Sequence, residues 1–356
     1  MNTEKNEQFE EKKDRIGIYL IPRLDKELLF DELSDNYLAK AGVADILTGV
    51  PVPIRMDELS KGISTVMIAK NMAYVIGCDI NFRYRDNYIA YIERTFTKDF
   101  VKPLLKEGVD LAANGDHETA CIYFRAAIQI DPHSTDALYC YGRACKDAYE
   151  RGEGEDPEYV GRFKADSLEA FEKLTLADPG FAMGFYFLGF GYVNLGLYVK
   201  ASLTWGHFME LTRDDVENPE THELRDEIRG LMKQLELPCI IENGYNAVLR
   251  GSFNEGIEIL SPYRKDKRFN QWWPLWYYLG EAYKGLGDAA EAEACFLEAL
   301  KLSPSNADVM QELVEIYEAL GETEKREKYE NKIRIVKRNA ALDREEKRAA
   351  ERPGLS

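Results

Sequence analysis

Residues 180–199 read GFAMGFYFLGFGYVNLGLYV, a run without one charged side chain. Its length meets the requirement of about 20 apolar residues for a membrane-spanning helix. Its composition argues otherwise, because Gly184, Gly189, Gly191 and Gly196 interrupt it and Asn194-Leu195-Gly196 reads as a turn. Two other readings remain: a buried core helix, or one element of a helical repeat.

Internal similarity decides between them. Leu188-Gly189, Tyr192, Leu195-Gly196, Ala201 and Trp205 fall opposite Leu279-Gly280, Tyr283, Leu286-Gly287, Ala292 and Phe296. The same frame runs through Gly108, Leu111, Gly115, Ala120, Phe124, Ala127 and Pro132. Small residues at fixed places let two helices lie close, and the large residues fill the space between them. Gly196, Gly287 and Gly321 stand where a first helix must end in a left-handed turn. Pro132, Pro179 and Pro304 stop the second helix.

This frame resembles the tetratricopeptide repeat (TPR), a helix–turn–helix unit of about 34 residues. The unit from Trp273 carries most of the family's pattern: Trp276, Leu279, Gly280, Tyr283, Gly287, Ala292, Phe296, Ala299 and Pro304. The resemblance implies an all-α, TPR-type α-solenoid of about six helix–turn–helix units, with a small N-terminal cap and a charged C-terminal helix. The units begin near Val101, Thr135, Ala182, Leu237, Trp273 and Ala307. The second carries an insertion near 150–163, expected to be solvated and flexible. The third is followed by an extra helix, 216–236, with Asn218 as N-cap, Pro219 in its first turn and an apolar stripe of Leu224, Ile228, Leu231 and Leu235. The fourth is degenerate, since Tyr263 and Arg268 replace its small residue and its proline. Residues 180–199 thus become the first helix of the third unit, apolar all round because neighbours cover both sides.

Four segments follow: a disordered start (1–15), a mostly helical cap (16–100), the repeat array (101–338) and a polar tail (339–356). Within the cap, residues 16–21 (IGIYLI) read as a strand or as the start of an apolar helix. Residues 50–54 (VPVPI) must be extended. Helical spacing covers Met56 to Ile76, and a second helix is expected from Asp86 to Phe100. The stretch LSKGISTVMIAKNMAYVIGCDINFRY faintly resembles a DNA-reading helix-turn-helix, but it lacks a basic recognition helix. From Glu322 the chain is dense in charge, with Tyr329, Ile333 and Val336 marking one packing stripe. That reads as a capping helix that frays, with an interaction tail as the alternative.

The net charge of −17 disfavours nucleic acid and anionic lipid. Six scattered cysteines without a C-x-x-C pair, and a charged start without an apolar signal core, point to a reducing, cytoplasmic location. No nucleotide-binding, zinc-protease or nucleophile-elbow motif occurs, and His117, His133, His207 and His222 are far apart. No cofactor or metal is therefore expected, and no catalysis.

The resemblance further implies that the first helices line a groove for a protein or peptide. The positions carried over are Tyr139, Arg143 and Lys146 in the second unit, Tyr186 and Phe190 in the third, Tyr245 in the fourth, and Tyr277, Glu281 and Lys284 in the fifth. The asparagines of the family's carboxylate-clamping subclass are missing. Aromatic rings dominate instead, which suits an apolar or amphipathic partner segment. The expected function is a non-catalytic scaffold or adaptor. The alternatives are a peptide-responsive transcriptional regulator, or an effector with its activity in the N-terminal segment. The extra helix or the N-terminal segment folding back over the rings is the competing expectation for the groove itself.

Overall fold

The computed structural model describes residues 13–55, 64–152, 154, 156–215 and 218–350. They fall into two compact units, one within Met1–Gly196 and Leu203–Arg225, the other within Leu197–Ser202 and Asp226–Ser356. Parts of five expectations lie outside the described residues: the disordered start up to residue 12, the first turns of the helix expected from Met56, residues 153 and 155 of the insertion, residues 216 and 217 of the extra helix, and the tail beyond 350.

The first unit opens with the short helices α1 (Gly17–Leu20) and α2 (Leu24–Glu27), so residues 16–21 take the helical alternative. Next come β1 (Leu28–Asp31), α3 (Asp35–Ala41), α4 (Ala44–Leu47) and β2 (Val52–Arg55). The strands pair antiparallel, with Leu28 opposite Arg55 and Asp31 opposite Val52. The extended 50–54 run supplies one of them. Its partner, Leu-Leu-Phe-Asp, has no alternating pattern to announce a strand. Helices α5 (Thr65–Cys78) and α6 (Arg85–Phe96) complete the segment. The helix expected to run to Phe100 breaks at Thr97, where φ is +58°, and continues as a 3₁₀ turn.

Helix α5 is capped by the Ser64 hydroxyl, and every residue from Asn71 to Cys78 is buried. A Cβ on Gly77 would stand 2.1 Å from the Ile122 carbonyl oxygen of the following array. The stretch with a faint DNA-reading pattern therefore holds a helix committed to the core.

The array begins with α7 (Val101–Ala113) and α8 (His117–Ile130), then α9 (Thr135–Arg151) and α10 (Pro157–Ala177), then α11 (Ala182–Asn194) and α12 (Tyr198–Leu211). Most of the insertion expected to be a flexible loop is helix. The α9 and α10 helices run to 17 and 21 residues, against 13 and 14 for α11 and α12. Asp156 accepts from the Glu158 N–H and Pro157 occupies the first turn, so α10 starts early and cleanly. The uncharged run at 180–199 contains α11, and among the described residues no helix is long and apolar enough to cross a membrane.

Next is α13 (Pro219–Leu249), a single helix with Pro238 inside it. The extra helix expected over 216–236 and the first helix of the fourth unit are thus continuous. No glycine or cap residue lies near Leu237 to stop the chain, and one proline removes only one backbone bond. The fourth unit's second helix, α14 (Phe253–Leu260), is short, because Pro262 turns the chain into a 3₁₀ segment. The second unit ends with α15 (Trp273–Gly285), α16 (Ala289–Leu302), α17 (Ala307–Ala319) and α18 (Thr323–Ala350). The tail boundary expected at 339 falls inside α18.

One contact recurs in the hairpins. A Cβ on Gly189 would meet the Trp205 indole at 2.1 Å, and one on Gly280 would meet the Phe296 ring at 2.6 Å. Gly108 faces Phe124 and Gly142 faces Phe171 in the same way. The hairpin turn repeats as well, with Gly115, Gly196, Gly251, Gly287 and Gly321 all at positive φ.

Residues at the end of the segment expected to be disordered are tied down. Asp14 accepts from Arg125 Nη2 at 2.7 Å, and Arg125 is only 4% exposed. Arg15 donates to Asp166 at 2.9 Å and Glu169 at 2.5 Å, and Asp166 also accepts from the Tyr141 hydroxyl at 2.6 Å. Long-range pairing of this kind leaves no local sequence signature.

Urea unfolding checks both kinds of contact. Gly280→Ala forces a methyl into the Phe296 ring and should cost about 1–3 kcal/mol. Gly161→Ala in α10, where a Cβ would meet nothing within 4 Å, should gain up to about 1 kcal/mol. Asp14→Ala strands a buried guanidinium and should cost about 3–5 kcal/mol, whereas Asp14→Leu with Arg125→Met should recover most of that loss.

Candidate functional site

The groove positions carried over from the repeat frame divide between the two units. In the first, Tyr139, Arg143 and Lys146 lie along α9. The Tyr139 hydroxyl accepts from Arg143 at 3.1 Å, and the guanidinium lies 4.7 Å from the Phe187 ring centre. Lys146 pairs with Glu150 on its own helix. Tyr186 is 8% exposed and packs edge-on against Phe187, Phe190 and Phe208. Phe190 packs on Trp205, whose indole N–H donates to the Tyr186 carbonyl at 3.0 Å. Tyr186 therefore belongs to the core of its hairpin. The ring on α11 that reaches toward α9 and α10 is Phe187, one residue further on.

In the second unit, Tyr245 stacks on Tyr278 at 5.0 Å, and burial pushes its phenol up to about 12. Tyr277, Glu281 and Lys284 stand in one row along α15, all half-buried. Lys284 reaches across to α17, donating to Glu312 and, at 2.5 Å, to Glu315. Burial opposes its charge, but these two hydrogen bonds hold Lys284 well above the usual lysine range. Glu281 is left over. Its Oε1 is shielded from solvent, and among the described residues no donor reaches it. Burial, then proton sharing with Glu312 and repulsion from that carboxylate, raise its pKa from 4.5 to about 7.

Glu312 and Tyr278 were not among the expected positions. For the last unit the repeat frame gives Gln311, Glu315 and Glu318 as inward positions, and the structure sets Glu315 toward Lys284 together with Glu312, which the frame does not give. An i, i+3 pair of glutamates on the first helix of one unit, opposite a lone lysine on the first helix of the preceding one, is the signal that could have found it.

The repeat frame now rests on observed hairpins. Residues 273–306 and 111–134 each match a family model of the tetratricopeptide repeat. The chain is a tetratricopeptide-repeat protein. Solved structures similar to this TPR chain include MamA, at 16% identity over 72% of this chain and 97% of that one, with a TM-score of 0.27. YrrB, titled a TPR protein with an unusual peptide-binding site, matches at 16% identity over 63% and 96%, with a TM-score of 0.29. A thermophilic TPR protein of Thermus thermophilus matches at 20% over 62% and 98%, with a TM-score of 0.26. Among curated protein sequences none matches this chain.

Elsewhere in this TPR protein, the described groups with nucleophilic or ligand chemistry are dispersed. His117 opens α8, His207 packs near the Phe185 ring at 5.5 Å, and no cluster of three metal-ligating side chains occurs among the described residues. Cys121 and Cys145 approach to 3.7 Å between sulfurs inside the core, where burial pushes the Cys145 thiol up and keeps it protonated.

The raised Glu281 pKa carries a stability consequence. Between pH 4.5 and about 7 the folded state keeps a proton that the unfolded chain has released, so stability falls as pH rises through that window. Partial exposure screens the loss to about 1 kcal/mol. Glu281→Gln keeps the neutral shape and should raise Tm above wild type by roughly 2–4 °C at pH 8, with no difference at pH 4. Thermal melts at the two pH values check this.

Proposed function

We propose that the chain is a non-catalytic, cytoplasmic protein- or peptide-binding scaffold. Its partner docks on the α15–α17 face of the second unit, through an amphipathic segment that presents a lysine or arginine. TPR proteins as a class serve as protein-interaction scaffolds, which supports the general part of this reading. The observation that carries the specific part is the imbalance on this face. Three carboxylates, Glu281, Glu312 and Glu315, surround a single ammonium, Lys284, and one of the three has an oxygen without a donor. Tyr277 lies one turn before Glu281 on the same helix and offers an amphipathic ring beside it.

A cationic side chain placed there would satisfy Glu281 and displace its proton. Binding would then strengthen as pH rises from 6 to 8, opposite in sign to the stability effect. Amphipathic helices bound in grooves present their anchors at i, i+3 and i+4, so the basic residue should be flanked by apolar ones at that spacing. The DNA-regulator alternative receives less support, because α5 is buried over its whole second half.

Selection from a random twelve-residue peptide display library against the full chain tests this. Enrichment of peptides with Lys or Arg flanked by apolar residues is expected. Their affinity should fall about tenfold or more with Glu281→Gln/Glu312→Gln. Enrichment of acidic peptides, or affinity indifferent to that double substitution, would overturn the assignment.

A further inference from the structure

A second site lies wholly within the first unit, and it is independent of the face just described. Where α9, α10 and α11 meet, a cavity of about 260 Å³ remains. Its walls are Tyr149 from the extended end of α9, Leu168 and Phe171 from α10, and Phe187 and Phe190 from α11. Phe171 and Phe187 stack at 5.2 Å with planes 16° apart, so the wall is built of fixed, flat surfaces. Such a lining offers a water few of the two to four polar partners it needs. An apolar cavity of about 150 Å³ admits a benzene ring, so this one has room for about two fused rings.

The charge at the cavity is one-sided. Its lining contains Lys146 and Lys164 and no carboxylate, in a chain whose net charge is −17. Lys146 is matched by Glu150. Lys164 lies 5.3 Å from the Tyr149 ring centre and forms no ion pair among the described residues. An ammonium resting on an aromatic face at the edge of an apolar cavity is placed to receive an anion whose body is apolar.

We propose that this cavity binds a small aromatic carboxylate, with its rings among Phe171, Phe187 and Phe190 and its carboxylate on Lys164. The long α9 and α10 supply Tyr149, Gly161 and Lys164, so the insertion contributes Gly161 to the rim and is flanked by the other two.

The test uses the full chain and two probes, 1-naphthoate and the uncharged 1-naphthalenemethanol, in calorimetric titrations. Saturable, one-to-one binding of 1-naphthoate is expected. Lys164→Gln should weaken it about tenfold and leave the weaker binding of the alcohol unchanged. Gly161→Leu, at a helical position on the cavity rim where an added Cβ meets nothing, should abolish binding of both probes without lowering Tm. Intermolecular NOEs from naphthalene protons to the Leu168 methyls should locate the probe in wild type, whatever the variants do. The proposal is overturned if 1-naphthoate shows no saturable binding, if Gly161→Leu binds as wild type does, if Lys164→Gln weakens both probes equally, or if the NOEs arise elsewhere.

Discussion

In one repeat after another, a backbone without a side chain lies against an aromatic ring from the next helix. Gly108 meets Phe124, Gly142 meets Phe171, Gly189 meets Trp205 and Gly280 meets Phe296, each closer than a Cβ would allow. That contact sets the distance between the two helices of a hairpin, and with it the direction in which every other side chain points. The fourth repeat keeps the glycine, Gly244, but meets Leu260 at the end of a short second helix. Its departure from the pattern is therefore in helix length, and the close approach survives. Within the first unit α10 packs against α11, and Gly184, Tyr186, Leu188, Gly189 and Tyr192 of the uncharged run are buried.

The N-terminal segment follows a different logic. It adds a buried helix, α5, against α8 and then fastens the chain start with charge. Arg125 is buried with Asp14 as its partner, and Arg15 joins Asp166, which also holds Tyr141. These pairs of Asp14 and Arg15 span more than a hundred residues of sequence. A buried charge adds little net stability, but it penalises any arrangement in which its partner is missing. The pairing therefore selects one docking of the segment over others more than it strengthens the fold.

The repeat frame made much of the candidate face legible. Tyr277, Glu281 and Lys284 do line up on α15, because helical spacing and the glycine contact together set which side faces outward. Tyr186 failed the same test: its neighbours Phe187, Phe190 and Phe208 draw the ring into the core. Glu312 was missed by one residue, since the rotation of α17 relative to α15 depends on packing between repeats. The cavity edged by Lys164 was not legible at all. The insertion at its rim looked like a polar loop, and the helix that most of it became is stabilised by Asp156 and Pro157 at its start.

The sequence by itself determined the close contacts within the hairpins and their glycine turns. Each rests on contacts within about 34 residues, where spacing is a reliable guide to geometry. Tertiary structure alone decided which carboxylates surround Lys284 and where Asp14 and Arg15 attach. These outcomes depend on the relative rotation of helices and on partners distant in the chain. Small residues and rings at fixed intervals encode how close two helices come, and they do not encode what lies on the far side of either.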